Sequence, residues 1–574
     1  MSLQQLRQER RTKSGAQALG ALDRLSALSY RLLAKPALRL SRSFPHLQED
    51  ILKSNLRITP QGLLSLALFV ALLVGAIAAA VTALGIILGL PVLALSLVAV
   101  PPSFMLVLLA PKLSQASRAY AIENELAYVM GFLVVLAGGG VSPVAALRRI
   151  ARMDRVFPAA SKEAKRILVD TDVLGLDPLT ALERAARYSP SRIFSEVLYG
   201  YTTVLRTGGD YVTYLVNKQR EIFEARGSKV KRASEVVGIF AEAYLSLSSL
   251  LGMTLFVLFE VQAVLTHSAQ GISSLLLFSV VIIPLFSALF IWLLDQIHIK
   301  QPYVDTRPYR GLIASLPLGI LLLLLPMPMY MYLRVALALI LLSLPPALLA
   351  ARYERERESM EKALPDFIKD LAEARRVGLA PEAGIARASK RGYGALSKYV
   401  KKMGAQISWG LPLSKVLNTF VSAVHSWMVK AAGTLILETI DVGGGTVRSF
   451  SDMADFTRKM NDLERDKRAS LKPYLFVMYM AGLMTIITAL LMVYMLANSV
   501  SGELAALASL PKVSPQTVDI FLAAATLDGW LAGLVAGKMS GGTLADGFKH
   551  GLALSALSLV VILIASRLLG IALA

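Results

Sequence analysis

The residues of this 574-residue chain that could support catalysis are few and scattered. Cysteine is absent, which excludes disulfides, thiol chemistry and thiolate metal sites. The five histidines stand on different segments, so we expect no shared metal site. They are His46, His267, His298, His425 and His550. The stretch "GGGTVRSF" is rich in glycine, but it lacks the Lys-[Ser/Thr] ending of a phosphate-binding loop and follows no predicted strand. We therefore predict no enzymatic activity, no metal or cofactor, and no nucleotide binding by this chain.

Positive charge is concentrated in short clusters. These clusters are Arg148, Arg149 and Arg152; Arg375 and Arg376; Lys390 and Arg391; and Lys401 and Lys402. Such clusters are typical of a solvated helix face, or of positive charge beside anionic lipid headgroups. They could also dock the acidic face of a protein partner by electrostatic complementarity. No recognition motif and no interleaved aromatic residues accompany them, so nucleic acid is not an expected partner.

The elements that position these groups follow from the composition. The chain is 55% hydrophobic and 17% charged, with a formal net charge of +20, whereas a soluble domain carries roughly 25% charged residues. Apolar runs of about 18 or more residues recur, long enough to cross a hydrocarbon core of roughly 30 Å. The first run begins only near Leu63, later than in a cleavable signal peptide. We expect the basic N-terminal segment to be retained in the cytoplasm.

Nine apolar runs predict nine transmembrane helices, in groups of two, four and three. The predicted spans are 62–84, 90–110, 236–265, 272–295, 311–326, 329–350, 473–497, 515–537 and 549–573. "GIILGLP" (85–91) and "PMP" (326–328) predict tight hairpins, because Gly and Pro interrupt helices. One span is short and another contains Asp528, so a count of eight is the alternative.

Two long polar stretches separate the groups of spans. The first polar segment, 112–235, and the second polar segment, 351–472, carry apolar residues at three- and four-residue spacing, which predicts helices with one buried face. Lys and Arg flank both segments, which places them on the cytoplasmic side of the plasma membrane and, with nine spans, the C-terminus outside. Pro365 is expected in the first turn of its helix, where proline is tolerated. The predicted parts of the chain are 1–61, 62–111, 112–235, 236–350, 351–472 and 473–574.

Four ionisable residues fall inside the predicted spans, where such groups suggest a function. They are Glu260, Arg334, Asp528 and Arg567. All except Asp528 fall towards the predicted outer ends of their spans, where the arginines can extend to the headgroups and the cost of the glutamate is reduced. Asp528 lies deeper, which makes it the candidate for a helix–helix clamp or for a polar contact to a partner helix.

The two polar segments share three turn signals in the same order. "GGGVSP" (138–143) matches "VGLAP" (377–381), each with a glycine that ends one helix and a proline that starts the next. "GLDPLTAL" (175–182) then meets "GLPLSKVL" (410–417), and the double glycine of 208–209 meets that of 443–444. Ser142 can cap a helix in the first copy, whereas Ala380 cannot in the second. The residues assigned to these turns are Gly140, Pro143, Gly208, Gly209, Gly378, Pro381, Gly443 and Gly444.

Three shared signals in one order indicate a duplicated domain. The predicted fold class is an all-α polytopic membrane protein, with about nine transmembrane helices and two homologous cytoplasmic helical bundles. A repeated polar domain with a Gly-x-x-Pro turn, a second Gly-to-Pro-Leu turn and a late Gly-Gly hairpin, each copy followed by membrane helices, resembles the type II secretion system F domain. The resemblance covers roughly residues 20–573, and the two-four-three grouping of spans is most similar to the archaeal branch.

The resemblance implies a platform protein beneath a growing archaellum or archaeal adhesive pilus. It implies that a hexameric secretion ATPase engages the cytoplasmic domains, that pilin or archaellin subunits contact the membrane helices, and that the protein forms a homodimer in the lipid bilayer. The alternatives are a secondary transporter, which places its repeat inside the membrane, and a membrane-anchored scaffold unrelated to filaments. The clear repeat is polar and the spans carry few polar residues, which disfavours a transporter.

Overall fold

The structure, a computed structural model, describes residues 21–56, 58–87, 96–247, 254, 258, 277–298, 306–325, 328–441, 446–499 and 515–568. Every regular element in these ranges is helical, so the predicted all-α class is confirmed. The chain divides into two compact units. The first comprises Met1–Met130 with Ser142–Lys218, and the second comprises Gly131–Val141 with Gln219–Ala574.

Nineteen α-helices are numbered here in chain order. They are α1 (Ala21–Ser41), α2 (Leu47–Ser54), α3 (Pro60–Ile87), α4 (Val100–Gly138), α5 (Pro143–Ile150), α6 (Pro158–Asp172), α7 (Pro178–Arg187), α8 (Arg192–Arg206), α9 (Tyr211–Leu245), α10 (Ile283–Ile297), α11 (Arg307–Leu324), α12 (Met331–Arg376), α13 (Pro381–Ala388), α14 (Ser397–Ser408), α15 (Leu413–Ala423), α16 (Trp427–Asp441), α17 (Val447–Ser499), α18 (Pro515–Gly541) and α19 (Leu544–Leu568). A π-helical turn, Phe278–Ile282, leads into α10.

Eight helices in the described ranges are long and apolar enough to cross a membrane, namely α3, α4, α10 with its π turn, α11, α12, α17, α18 and α19. They match eight of the nine predicted spans. The remaining span, 236–265, lies largely outside the described residues, although α9 contains its start. The predicted hairpins at 85–91 and 326–328 also lie partly outside them, and α3 continues through Ile87. The chain is a multi-pass membrane protein.

No linker separates the predicted spans from the two polar segments. The helices α4, α9, α12 and α17 run without interruption through the predicted boundaries at 111/112, 235/236, 350/351 and 472/473. Helix α12 has 46 residues, which at 1.5 Å per residue is roughly 70 Å, more than twice the thickness of a hydrocarbon core. The polar half and the membrane half of α12 are therefore parts of one continuous helix.

Pro365 does not lie in the first turn of a helix, as the sequence suggested, but deep inside α12. A proline in a helix interior leaves the carbonyl four residues earlier without its donor. Here that carbonyl belongs to Glu361, and the Asn461 side-chain amide of α17 donates to it at 3.3 Å. The neighbouring helix supplies the missing hydrogen bond, so α12 can continue.

In the membrane half of α12, a side chain of a neighbouring helix again replaces the backbone N–H donor that a proline removes. Pro346 leaves the carbonyl of Leu342 without a helical donor, and the Ser315 hydroxyl of α11 donates to that carbonyl at 2.9 Å. Hydroxyl side chains from neighbouring helices commonly satisfy carbonyls that proline frees in membrane helices. The hydrogen bond joins α11 to α12 at the point where Pro346 removes one backbone hydrogen bond from α12.

Helix α18 is the central membrane helix of the second unit. In its most apolar stretch of 18 residues, 83% is buried inside the protein, whereas the corresponding share is at most 39% in any other described membrane helix. It meets α19 through glycines: a Cβ added to Gly533 would lie 2.6 Å from the Gly551 Cα, and Gly537 faces Gly547 in the same way. Small residues let membrane helices approach backbone to backbone.

Each polar segment has an apolar core. In the first, α6, α7 and α8 pack around Ile167, Ala181, Leu182, Ala186 and Leu198. In the second, α12, α14 and α15 contribute side chains that are at most 4% exposed: Leu364, Phe367, Ile368, Val400, Met403, Val416, Leu417 and Phe420. Burial on this scale is the main stabilising contribution available to bundles of short helices.

Candidate partner-docking surfaces

The first turn of both repeats is built in the same way. Gly140 and Gly378 adopt left-handed φ angles of +78° and +81°, which allows a helix to end in a tight reversal. The Ser142 hydroxyl caps α5 by accepting a backbone N–H at 3.4 Å, whereas Ala380 gives α13 no side-chain cap. The prolines that open the two helices are Pro143 and Pro381.

The second turn also has a left-handed glycine in both repeats, Gly175 at φ +67° and Gly410 at φ +75°. Asp177 caps α7 by accepting the N–H groups of its first turn at 3.1 and 3.3 Å. In the second repeat Pro412 occupies the capping position instead. The helices α7 and α15 begin at equivalent positions, although their prolines differ in register by one residue.

The third turn is described only in the first repeat. Gly208 has φ +67°, and Gly209 follows it with no positive φ. Asp210 then caps α9, and hydrogen bonds from the Thr213 hydroxyl and N–H hold the pKa of Asp210 below its usual value. The corresponding glycines, Gly443 and Gly444, lie outside the described residues.

Large apolar side chains are exposed directly before the second turn. Leu174, which precedes Gly175, is 55% exposed, and Trp409, which precedes Gly410, is 78% exposed. Leu174 and Trp409 are 235 residues apart, which is also the separation of Gly175 and Gly410, so they occupy equivalent positions in the two repeats. Single exposed apolar residues are common, but here the same position in both copies carries one. Repetition of this kind favours a contact surface over chance.

The charged residues nearest to the two turns have opposite sign. The first tip, residues 169–177, contains three acidic residues and no basic one, and its Val173 is 74% exposed. The second tip, residues 401–415, contains three lysines and no acidic residue. The charged residues are Asp170, Asp172 and Asp177 in the first tip and Lys401, Lys402 and Lys415 in the second. Asp172 and Asp170 form ion pairs with Arg148 and Arg184, so two of the three acidic charges of the first tip are neutralised within the protein. The lysines of the second tip are exposed, and this tip suits an acidic partner surface.

The nine basic residues singled out from the sequence fall into two groups. Four are engaged within the protein. Arg148 pairs with Asp172 at 3.1 Å, Arg391 pairs with Asp370, Arg375 donates to the Leu379 carbonyl at 2.9 Å, and Arg149 also has an internal contact. The other five are exposed and have no acidic partner in the described part of the chain: Arg152, Arg376, Lys390, Lys401 and Lys402.

The second tip lies at the end of its bundle that is remote from the membrane helices. Lys398, near the start of α14, pairs with Glu356 in the part of α12 closest to the membrane. Trp409 follows 11 residues later, about 16 Å along the helix axis. Val377, at the far end of α12, is 67% exposed. A partner approaching this end meets apolar and basic groups together.

Two side-chain contacts recur at equivalent positions in the two bundles. Ser191 donates to Glu123 at 3.3 Å in the first repeat, and Ser426 donates to Glu361 at 2.7 Å in the second. Each serine also caps the helix that follows, because its oxygen accepts a backbone N–H at 3.3 Å. The pair ties the start of α8 or α16 to the long helix beside it.

A second recurring contact has its charges exchanged. Arg118 on α4 pairs with Glu163 on α6 at 2.6 Å, whereas the equivalent residues on α12 and α14 are Glu356 and Lys398. The ion pair occupies the same place in both repeats, but the acid and the base have changed sides. The two repeats therefore share the position of the charge pair but not its orientation.

The ionisable residues predicted inside spans differ in their surroundings. Asp528 on α18 is 6% exposed and lies beside Thr485 of α17. Arg334 donates to the Leu325 carbonyl at 2.8 Å and so joins the start of α12 to the end of α11. Arg567 is exposed near the end of α19. Glu260 lies outside the described residues.

The structure groups two of the histidines. His298 and His425 line one cavity of the second unit, although they lie far apart in the sequence. No cluster of three or more potential metal ligands occurs among the described residues. His267 lies outside them.

Sequence reasoning missed several of these residues. The Glu–Ser pairs could have been found by aligning the repeats residue by residue. The two glutamates are as far apart in the sequence as Gly140 and Gly378, and the two serines are as far apart as Gly175 and Gly410. The glycines of α18 recur every four residues from 533 to 541, which is a visible membrane-packing signal. The exposure of Trp409 has no signal in a single sequence.

Comparison with known proteins agrees with this architecture. The family model "Type II secretion system (T2SS), protein F" matches residues 130–259 and 367–494. An uncharacterized protein of Methanocaldococcus jannaschii is 23% identical over 424 residues, which cover 68% of this chain and 71% of that protein. No solved structure matches the chain at comparable significance. The chain therefore carries two copies of the type II secretion system protein F domain, at 130–259 and 367–494.

Proposed function

We propose that the chain is the membrane platform of an archaeal type IV pilus or archaellum, coupling a hexameric cytoplasmic secretion ATPase to the insertion of pilin subunits into the filament. The family match supports a platform of the type II secretion and type IV pilus class. The two-four-three grouping of the predicted spans and the similarity to an archaeal protein support the archaeal branch. In this proposal the chain is not an enzyme, and both polar segments face the cytoplasm from the plasma membrane.

The observation that carries the coupling role is the continuity of α12 and α17. Both helices begin or end in the second polar segment and continue into the membrane group without a break. A tilt of the second polar segment is therefore a tilt of two membrane helices, which is the rigid-body class of conformational change. The apolar N-terminal helix of a pilin would lie against the lipid-facing grooves of these helices.

The two tips are the proposed contacts with the ATPase. Each presents an exposed apolar residue, Leu174 or Trp409, directly before a rigid left-handed turn. Because the second tip carries three exposed lysines and the first tip carries none, we expect them to bind different faces of the ATPase. The charge contrast would then fix the orientation of the platform on the motor.

Site-specific crosslinking of the full chain in membranes tests this proposal. The chain has no cysteine, so Leu174→Cys and Trp409→Cys each create a unique attachment point for a photo-crosslinker. Gly392→Cys is the matched control, because it is open to solvent at the opposite end of α14. We expect adducts with the co-expressed ATPase from the two tips and none from the control. Absence of adducts at both tips, or equal adducts at all three positions, would contradict the proposal.

A further inference from the structure

A cavity of about 730 Å³ lies in the second unit, where the polar ends of the membrane helices meet the second polar segment. Its walls come from α10, α11, α12, α17, α18 and the first turn of α19, together with the hairpin that joins α18 to α19 and the start of α16. The volume is in the range of small-molecule sites, about 300–1,000 Å³. Neither the coupling role nor the docking tips use this cavity.

One wall of the cavity is an apolar stripe on α10. Pro284, Ala288 and Trp292 follow one another at four-residue spacing, so they lie on one face of the helix. Ala288 and Trp292 are also exposed, Trp292 to 57%. The cavity therefore opens sideways along a membrane helix. A tryptophan near the polar end of a membrane helix is typical of the level of the lipid headgroups.

The other end of the cavity is charged, and three of its acidic residues have bases of their own. The ion pairs are Lys538 with Asp295 at 2.5 Å, Lys549 with Glu354 at 2.5 Å, and Lys398 with Glu356. Two of these bases, Lys549 and Lys398, lie outside the lining. Two further acids of the lining also have a base within reach: Glu464 lies 4.0 Å from Lys467, and Asp546 lies 3.9 Å from Lys549. Arg468 is paired with Glu358. Each acid of the lining therefore has a base within reach, and Arg357 has no carboxylate closer than that of Glu361.

Arg357 is the guanidinium best placed to bind an anion. Its side chain lines the cavity and is 34% exposed, whereas its Nε is buried and has no hydrogen-bond partner in the described residues. The nearest carboxylate oxygen, on Glu361, is 3.9 Å away and already accepts a hydrogen bond from Ser426. Beside it, the Arg307 guanidinium lies 3.9 Å above the Tyr353 ring, which orients its planar face. Planar guanidinium groups bind phosphate oxygens in pairs.

We propose that this cavity binds an anionic phospholipid, with its phosphate at Arg357 and an acyl chain along the stripe of Pro284, Ala288 and Trp292. The charged end supplies the donors that a phosphodiester needs, and the lateral opening admits a chain from the bilayer. A lipid held there fills the space between α10 and α12 at the point where α12 leaves the membrane.

Lipid binding by the purified full-length protein tests the proposal. Phosphatidylglycerol, diacylglycerol and inorganic phosphate are added separately to the delipidated protein, and retention in native mass spectra and the shift in thermal unfolding are measured. We expect retention and stabilisation with phosphatidylglycerol only. Equal stabilisation by inorganic phosphate at millimolar concentration would assign the site to a soluble phosphate, and equal retention of diacylglycerol would remove the role of the phosphate. Either result would overturn the proposal.

Three variants locate the binding. Arg357→Gln should weaken phosphatidylglycerol binding by about tenfold or more, because a charge-assisted hydrogen bond is lost. Arg355→Gln removes the same charge from the exposed face of α12, outside the cavity, and should leave binding unchanged. Ala288→Trp obstructs the apolar stripe with no change of charge, and should also abolish binding. Unchanged binding in both Arg357→Gln and Ala288→Trp would exclude the cavity as the site.

Discussion

The Ser426 hydroxyl donates a 2.7 Å hydrogen bond to the Glu361 carboxylate, and both residues are almost completely buried. Glu361 lies on α12, one of the two long helices that continue from the second polar segment towards the membrane, and Ser426 caps α16. The same pair, Glu123 and Ser191, occurs in the first repeat with a longer distance of 3.3 Å. The contact fixes a short helix of the bundle to the long helix that would transmit force.

Ser426→Ala should therefore destabilise the protein. The variant leaves a buried carboxylate without its donor and removes a helix cap, each a loss of about 1–2 kcal/mol. Thermal unfolding of the full chain in detergent measures the effect. Ser191→Ala should cost less, because its hydrogen bond is longer. Ser422→Ala is the control, since that exposed hydroxyl bonds only to its own helix. Equal unfolding temperatures for Ser426→Ala and Ser422→Ala would contradict the prediction.

The helices and the turns were predictable from the sequence because their signals are local. Apolar runs mark the spans, and glycine before proline marks the turns, where Gly140 and Gly378 adopt the φ angles that favour glycine. The interior of the bundles was not predictable in this way. Asn461 and Pro365 are almost a hundred residues apart, and only the packing of α17 on α12 brings the amide to the freed carbonyl. The continuity of α12 through Pro365 depends on that tertiary contact.

Asn461→Leu should destabilise the second polar segment by about 1–2 kcal/mol, because the Glu361 carbonyl next to Pro365 loses its donor. Pro365→Ala restores a backbone N–H four residues after Glu361, so the double variant should recover most of the loss. Unfolding of the four proteins in a double-mutant cycle measures the coupling. Additive effects of the two substitutions would show that the amide does not compensate for the proline.

Exchange of charges at the recurring ion pair should be tolerated in the second repeat. Lys398→Glu places two carboxylates together and should destabilise the protein by about 0.5–1 kcal/mol, the scale of a largely exposed pair. The double variant Glu356→Lys with Lys398→Glu recreates the orientation found in the first repeat, Arg118 on the long helix and Glu163 on the short one. It should return to wild-type stability in thermal unfolding. The prediction would be wrong if the double variant lost as much stability as Lys398→Glu alone.

The protein should become less stable as the pH decreases, because the buried His298 resists protonation. Burial, together with the positive charges of Lys467 and Lys538, lowers the pKa of His298 to about 4, against about 6.5 in an unfolded chain. As the pH falls from about 6.5 to about 4, the unfolded state binds a proton that the folded state does not. The folded state then loses up to about 3 kcal/mol relative to the unfolded state.

Unfolding of wild type and His298→Gln at several pH values measures this loss. The free energy of unfolding should depend less steeply on pH in the variant between pH 4 and 6.5. The difference in slope should correspond to up to one proton taken up on unfolding, whatever the stability of the variant at neutral pH. His46→Gln, at an exposed position, should keep the wild-type slope. Parallel curves for wild type and His298→Gln would contradict the prediction.

Gly533→Ala should separate the two helices at the centre of the membrane group. The added Cβ would lie 2.6 Å from the backbone of Gly551, and backbone cannot move aside as a side chain can. We expect a loss of about 2 kcal/mol or more from overpacking, seen as a lower unfolding temperature and a lower yield of monodisperse protein. Gly75→Ala is the matched control in another membrane helix, because its Cβ would meet only Val100 at 3.9 Å. Alanine has the higher helix propensity, so the control should be neutral or slightly stabilised. Equal behaviour of the two variants would show that the contact of α18 with α19 adjusts freely to an extra methyl group.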